Sequence, residues 1–246
     1  MRERLQKYLA RAGIDSRRKC EELILWGKVR VNNLMVTKLG TKINPQEDII
    51  EVKGKLIKYK EKKDYTYILL NKPQGYLTSL YDPYHRPTIF DLLKGITERI
   101  YPVGRLDFNS EGLLILTNDG ELTYGLTHPS KKIEKTYIVK VKGIPSLKKL
   151  NILSKGIILE NNYKILPCNI HTLKIISGNA ILKIKLREGK KRQIRKMGEY
   201  IGHPVLKLRR IQIDSIRLKG VKPGEYRHLN KQEINSLKKI IYNKSD

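Results

Sequence analysis

The sequence is short of the residues that staple or metallate a fold. It has two cysteines in 246 residues, Cys20 and Cys168, far apart in the chain. That leaves neither a disulfide framework nor a Cys-x-x-Cys metal site. Five histidines, His85, His128, His171, His203 and His228, stand at no ligand spacing with a cysteine or with one another, so no metal is expected. His128 and His203 each precede a proline and read as helix ends. There is no glycine-rich phosphate loop, dinucleotide fingerprint or Gly-x-Ser-x-Gly elbow, and no cofactor is expected. No apolar run approaches the ~18 residues of a membrane span. The basic start MRERLQKYLARAG has no apolar stretch behind it, which argues against a signal peptide. A cytoplasmic protein, monomeric and without a membrane partner, is the expectation.

Acid is scarce as well. Asp and Glu number 24 against 51 Lys and Arg, a formal net charge of +27. A field of that sign draws polyanions, and phosphate contacts made by Lys and Arg release counterions. Part of the excess belongs to a composition rich in Lys, Ile and Asn. The rest points to nucleic acid rather than a membrane surface, because no long basic amphipathic helix with an aromatic face is present. Hydrophobic residues make up 39%, enough for a globular core.

Residues 4–27 read as two short helices. Leu5, Tyr8, Leu9 and Ala12 recur at helical spacing, Gly13 stops the first, and Asp15 or Ser16 caps the second. The second opens with Arg17, Arg18 and Lys19, cations at the end of a helix that disfavours them; this suggests that they serve a ligand. Residues 28–59 are β-like, with turns at Asn32-Asn33 and Lys53-Gly54. The charged stretch 58–64 reads as a linker, giving a first domain of 1–60 and a second of 65–246.

In the second domain, 65–73 reads as a strand broken by Pro73, and 112–117 (GLLILT) as a strand buried on both faces. A turn at 118–120 leads into a short helix. Residues 135–143 alternate like a half-buried strand, 146–156 form a helix closed by Gly156, and 165–189 a hairpin around Ser177-Gly178-Asn179. Residues 190–204 read as a helix with the apolar face Ile194, Met197 and Ile201. Strands near 206–218 and a helix near 231–242 finish the chain. The expected class is α+β with a mixed, mainly antiparallel sheet.

One segment stands out chemically. In VGRLDFNSEGLLILTNDGEL (103–122), Asp107 sits in a polar, glycine-flanked loop just before the buried strand. Loops held by rigid strands carry catalytic groups, although an aspartate there also forms turns. Beside Arg105 its carboxylate stays ionised and can act as a nucleophile.

The segment resembles the signature of the ribosomal RNA pseudouridine synthases, with Ser110 where that family usually has Thr. KTYIVKV (135–141), REGKKRQIRKM (187–197) and LLNKPQGYLTS (69–79) resemble the family's other motifs. Residues 3–52 resemble the S4-like RNA-binding domain, so the resemblance covers nearly the whole chain. It implies an enzyme that flips a uridine out of ribosomal RNA and isomerises it to pseudouridine without cofactor or metal. Asp107 matches the nucleophile, Tyr137 the tyrosine that stacks on the base, and Arg195 the basic partner of the aspartate, expected to pair with a buried carboxylate. Arg105 matches an arginine that fills the vacated stack. Arg192, where many relatives have His, is expected on phosphate. Arg17, Arg18, Lys19 and Lys72 are further expected RNA contacts. Residues 71–93 resemble the large-subunit (23S) members more closely. Other readings remain open: a non-catalytic rRNA-binding assembly factor, a synthase for small-subunit rRNA or for tRNA, and a basic nuclease.

Overall fold

The computed structural model describes residues 2–57 and 65–243, so the linker expected at 58–64 lies outside the described residues. The chain divides into two compact units, Met1–Asp64 and Tyr65–Asp246.

The first unit contains β1 (Glu3–Arg4), α1 (Leu5–Arg11), α2 (Arg17–Leu25), β2 (Val29–Val31), β3 (Leu34–Met35), β4 (Lys42–Ile43), β5 (Ile50–Val52) and β6 (Lys55–Leu56). Leu5, Tyr8 and Leu9 of α1 and Cys20 and Ile24 of α2 bury one face of each helix in a core with Val29, Ile43 and Ile50. Ser16 caps α2, its Oγ accepting the Lys19 N–H at 3.2 Å. Both hairpin turns need left-handed backbone: φ is 51° and 66° at Asn32 and Asn33, and 50° and 76° at Lys53 and Gly54. Two such residues in succession match the twist of the flanking strands, which is why Asn, Lys-Gly and no β-branched residue occupy them.

The second unit holds β7 (Tyr67–Lys72), β8 (Tyr101–Pro102), β9 (Glu111–Thr117), α3 (Gly120–Thr127), β10 (Lys135–Val141), α4 (Leu147–Ser154), β11 (Ile157–Leu159), β12 (Tyr163–Ile165), β13 (Asn169–Ile176), β14 (Asn179–Leu186), α5 (Gln193–Tyr200), β15 (Val205–Ile213), β16 (Ile216–Arg217), β17 (Tyr226–His228) and α6 (Lys231–Asn243). Its main sheet runs β13-β14-β10-β15-β9-β7-β17. All pairings on that path are antiparallel except β15–β9, which is parallel and registers Arg209 with Glu111 and Arg210 with Gly112. The mixed, mainly antiparallel sheet and the α+β class are as the sequence suggests.

On either side of that parallel junction the sheet packs a core of its own, although Ile213 of β15 and Ile216 of β16 reach across to join the first. On one side, Leu69, Leu113 and Ile115 pack with Leu122 and Leu126 of α3 and Leu237 and Ile241 of α6. The opposite face of the same strands, Ile68, Leu70, Leu114 and Leu116, packs on Ile89, Ile100 and Leu106. β9 is therefore buried on both faces, as its unbroken apolar run implies. On the other side, Tyr137, Val139 and Val141 of β10 pack with Leu182 and Ile184 of β14, Leu150 of α4 and Ile194 of α5.

One boundary differs from the sequence reading. The helix expected over 190–204 begins only at Gln193, because Arg192 takes a left-handed conformation, φ 54°. The basic residues Lys190, Lys191 and Arg192 thus form a turn before the helix rather than its first turn.

Candidate active site

Asp107 lies on a short loop between Val103, which is buried, and the start of β9. The loop is held from several directions. Thr78 Oγ1 donates to the Leu106 carbonyl at 2.7 Å and accepts the Leu106 N–H at 3.3 Å. The Gly75 N–H donates to the Phe108 carbonyl at 3.0 Å. Beneath it, the ammonium of Lys72, the last residue of β7, donates to the carbonyls of Ser110 (2.8 Å), Pro73 (3.0 Å) and Asp107 (3.1 Å), with Phe108 at 3.5 Å.

Lys72 has no solvent exposure at all. Its side chain cannot reach an RNA; the expected contact is replaced by an internal one, because β7 is buried on both faces and carries the lysine inward. Burial holds its pKa down to about 8 from 10.5, opposed by the charges of Asp107 and Glu111 and reinforced by Arg210. At neutral pH the ammonium stays charged, and main-chain carbonyls are its direct partners.

Asp107 itself is exposed, not buried as the sequence reading supposed. Its neighbours Arg105 and Phe108 are also exposed, and Arg105 makes no hydrogen bond or ion pair among the described residues. The expected close pairing of Asp107 with Arg195 is not formed. Arg195 instead donates from Nη2 to the Asn109 carbonyl at 2.8 Å and from Nη1 to the Val205 carbonyl at 3.3 Å. It lies within electrostatic reach of Asp107: burial first and Arg192 second lower its pKa, while Asp107 and Glu199 raise it. The guanidinium therefore fixes the loop by its main chain and contributes charge to the carboxylate at longer range. The difference follows from the partners Arg195 takes, the carbonyls of Asn109 and Val205 rather than a carboxylate.

Tyr137 is 8% exposed and belongs to the apolar cluster beneath α5. In the sheet it stands opposite Ile184 on one side and Arg210 on the other. Asp107, Tyr137 and Arg195 thus come from three places: the loop before β9, the strand β10 and the helix α5. Arg192, at the foot of α5, is exposed. In the first unit Arg17, Arg18 and Lys19 are all exposed on the first turn of α2, open to a ligand.

The sequence reading missed several residues that shape this site. Thr78 holds the loop through a hydroxyl that no pattern distinguishes from a surface threonine. Gly112 has φ +107°, and a Cβ there would stand 2.2 Å from the Arg210 carbonyl oxygen. Only glycine lets β15 approach β9 at this point. Arg210 is 3% exposed; its Nε donates to the Leu113 carbonyl at 2.8 Å, while Nη2 is buried without a partner. Ser110 Oγ and Arg195 Nε are likewise buried and unpartnered. Unsatisfied polar groups are costly, and three of those in the described residues lie at or beside the start of β9. Among the described residues no group of three His, Cys, Asp or Glu side chains is gathered as for a metal, and no helix is long and apolar enough to cross a membrane.

The family model described as RNA pseudouridylate synthase matches residues 66–200, and the S4 domain model matches residues 3–49. The chain is 45% identical over 242 residues to an uncharacterized RNA pseudouridine synthase of Aquifex aeolicus, covering 98% of this chain and 96% of that one. It is 43% identical over 240 residues to ribosomal large subunit pseudouridine synthase B of Bacillus subtilis, covering 97% and 96%. Among solved structures, a crystal structure of a pseudouridylate synthase superposes with a TM-score of 0.68 at 28% identity, covering 95% of this chain and 99% of the other.

Proposed function

Because the chain belongs to the RNA pseudouridylate synthase family, we propose that it converts a specific uridine of large-subunit ribosomal RNA to pseudouridine, with Asp107 as nucleophile. One observation carries the site assignment: an exposed carboxylate stands on a loop whose main chain is tethered by Lys72, Thr78 and Arg195. Fixing a reacting group at low mobility is what turns an ordinary aspartate into an effective one. The large-subunit substrate is supported by similarity along nearly the whole chain to the Bacillus subtilis enzyme.

The reaction breaks the N1–C1′ bond, turns the uracil, and joins C5 to C1′; the C5 proton leaves and N1 gains one. Every atom of the ring is kept, so the isomerisation consumes no co-reactant. A stacked uridine must be extruded first, at a cost of a few kcal/mol. Arg105, exposed and without an ion partner, is free to enter the vacated stack. Tyr137, 8% exposed, is the ring that meets the extruded base, and base–aromatic contacts contribute about 1–3 kcal/mol. Arg192 and the α2 cations Arg17, Arg18 and Lys19 bind phosphate and position without reading sequence.

Replacing Asp107 by Asn tests the proposal. The variant retains the shape and the RNA affinity of the protein but forms no pseudouridine when ribosomal RNA is mapped with carbodiimide. An active D107N protein refutes the role of the carboxylate.

A further inference from the structure

The half of the sheet that carries Tyr137 has a second face that takes no part in the site. On β10, Tyr137, Val139 and Val141 point into the core beneath α4 and α5, so Ile138 and Lys140 point the other way. Cross-strand register extends that outer face in both directions. Ile138 stands opposite Lys183 of β14 and Arg209 of β15, and Lys140 opposite Ile181 and Lys207. Farther out, Lys183 stands opposite His171 and Ile181 opposite Lys174 of β13, the edge strand. The ion pair of Lys207 with Glu111 at 3.1 Å agrees with this placement.

We infer that this outer face is a second RNA-binding surface, which takes the phosphate backbone of a duplex segment of the substrate away from the target nucleotide. The inference rests on the proposed ribosomal RNA substrate. Its basis is a charge arrangement that folding alone does not favour. Lys140 and Lys207 are direct cross-strand neighbours of like charge, a destabilising pair. Six cations, Lys140, Lys174, Lys183, Lys185, Lys207 and Arg209, share the face with only two carboxylates, Glu111 and Glu134. Lys140, Lys174 and Lys183 have no acidic partner among the described residues. All six side chains are at least partly exposed.

The chemistry of the face selects the occupant. Four strands at about 4.8 Å spacing make a patch about 14 Å across, a surface for an extended polyanion rather than a pocket for a small one. Between the cations stand Ile138 and Ile181, with no Phe, Tyr or Trp and a single imidazole, that of His171 on the edge strand, among the described residues named on the face. Unpaired bases are held by runs of stacking aromatic rings; this face offers only the imidazole of His171, at its rim. Duplex RNA, whose bases are already stacked, is recognised through its shape and backbone. Because the face lies behind the sheet from Tyr137, a duplex seated there belongs to a different part of a large RNA from the extruded uridine.

The test changes Lys140, Lys174 and Lys183 together to Gln in the full-length protein. Binding is measured across a salt series to a transcribed domain of large-subunit ribosomal RNA and to a short hairpin carrying the target uridine. Each duplex phosphate contact carries about 0.9 in the slope of log K against log salt, so the slope for the long RNA falls by roughly 3. The same substitutions weaken that binding at least about tenfold at low salt. The melting temperature holds or rises, because a like-charge pair is relieved. Binding and turnover of the hairpin are unchanged. Unaltered affinity and slope for the long RNA overturn the inference, as does an equal loss on the hairpin. A loss confined to phosphatidylglycerol vesicles overturns it too, and assigns the face to a membrane. If the wild-type protein converts uridine in neither RNA, the substrate proposal fails, while the binding comparison still decides the role of the face.

Discussion

Replacing Lys72 by Met keeps the volume of the side chain and removes only its charge and its hydrogen bonds. Two effects oppose each other. The ammonium is costly to bury: a pKa of about 8 against 10.5 corresponds to roughly 3 kcal/mol, which methionine recovers. Against this, the carbonyls of Pro73, Asp107 and Ser110 lose a charged donor within 3.1 Å, at about 1.5–2 kcal/mol each. The loss wins by about 2 kcal/mol, a fall in Tm of roughly 5 °C for a unit of this size. Activity suffers more. The Asp107 main chain is one of the acceptors, and a displacement of about 1 Å in a reacting group costs roughly 100-fold. The expected K72M protein is folded, slightly less stable, and about 100-fold slower in single-turnover pseudouridine formation. Its pH profile gives an independent check. The folded pKa of Lys72 is depressed, so between about pH 8 and 10.5 the unfolded state binds more protons and this group adds to stability as pH rises. The stability gap between wild type and K72M therefore widens from pH 8 to pH 10. Wild-type turnover by folded K72M, or a gap that stays flat across that range, refutes the reasoning.

Arg195→Met removes the bond to the Asn109 carbonyl and lowers turnover by about 10- to 100-fold; because Asp107 is exposed, stability changes by about 1–2 kcal/mol, and a much larger loss in urea unfolding contradicts the geometry. Gly112→Ala brings a methyl group within 2.2 Å of the Arg210 carbonyl oxygen, so the variant loses about 3 kcal/mol or more or fails to fold; wild-type stability by thermal melting denies the close approach of β9 and β15. Deleting residues 1–60 weakens RNA binding and flattens its salt dependence, since Arg17, Arg18 and Lys19 leave with the first unit; unchanged binding over a salt series excludes their role.

The sequence exposes what local rules control. The unbroken apolar run 112–117 announces a strand covered on both faces, and Asn32-Asn33, Lys53-Gly54 and Ser177-Gly178 announce tight turns; all three pairs adopt positive φ. The order of the motifs and the position of Asp107 were legible too. What was hidden depends on contacts between distant segments. Lys72 looks like a surface cation in a basic protein, and only the depth of β7 reveals that its ammonium faces inward. Arg192 continues a helical pattern in composition, yet its left-handed backbone delays α5 to Gln193, and the bond of Arg195 to the Asn109 carbonyl joins segments 86 residues apart. Gly112 looks like a strand weakener until β15, nearly a hundred residues later, is seen to need the space.

The pairing of β9 with β15 also governs when the protein can work. Asp107 belongs to one half of the sheet, Tyr137 and Arg195 to the other, and the parallel ladder that joins them registers two residue pairs, supported by the bonds of Arg195 to Asn109 and of Arg210 to Leu113. In a chain made from its N-terminus Asp107 comes well before Arg209 and Arg210, which the ladder requires. Until then the ladder does not hold Asp107 against Tyr137 and Arg195, so the arrangement proposed for the reaction waits for the last third of the chain.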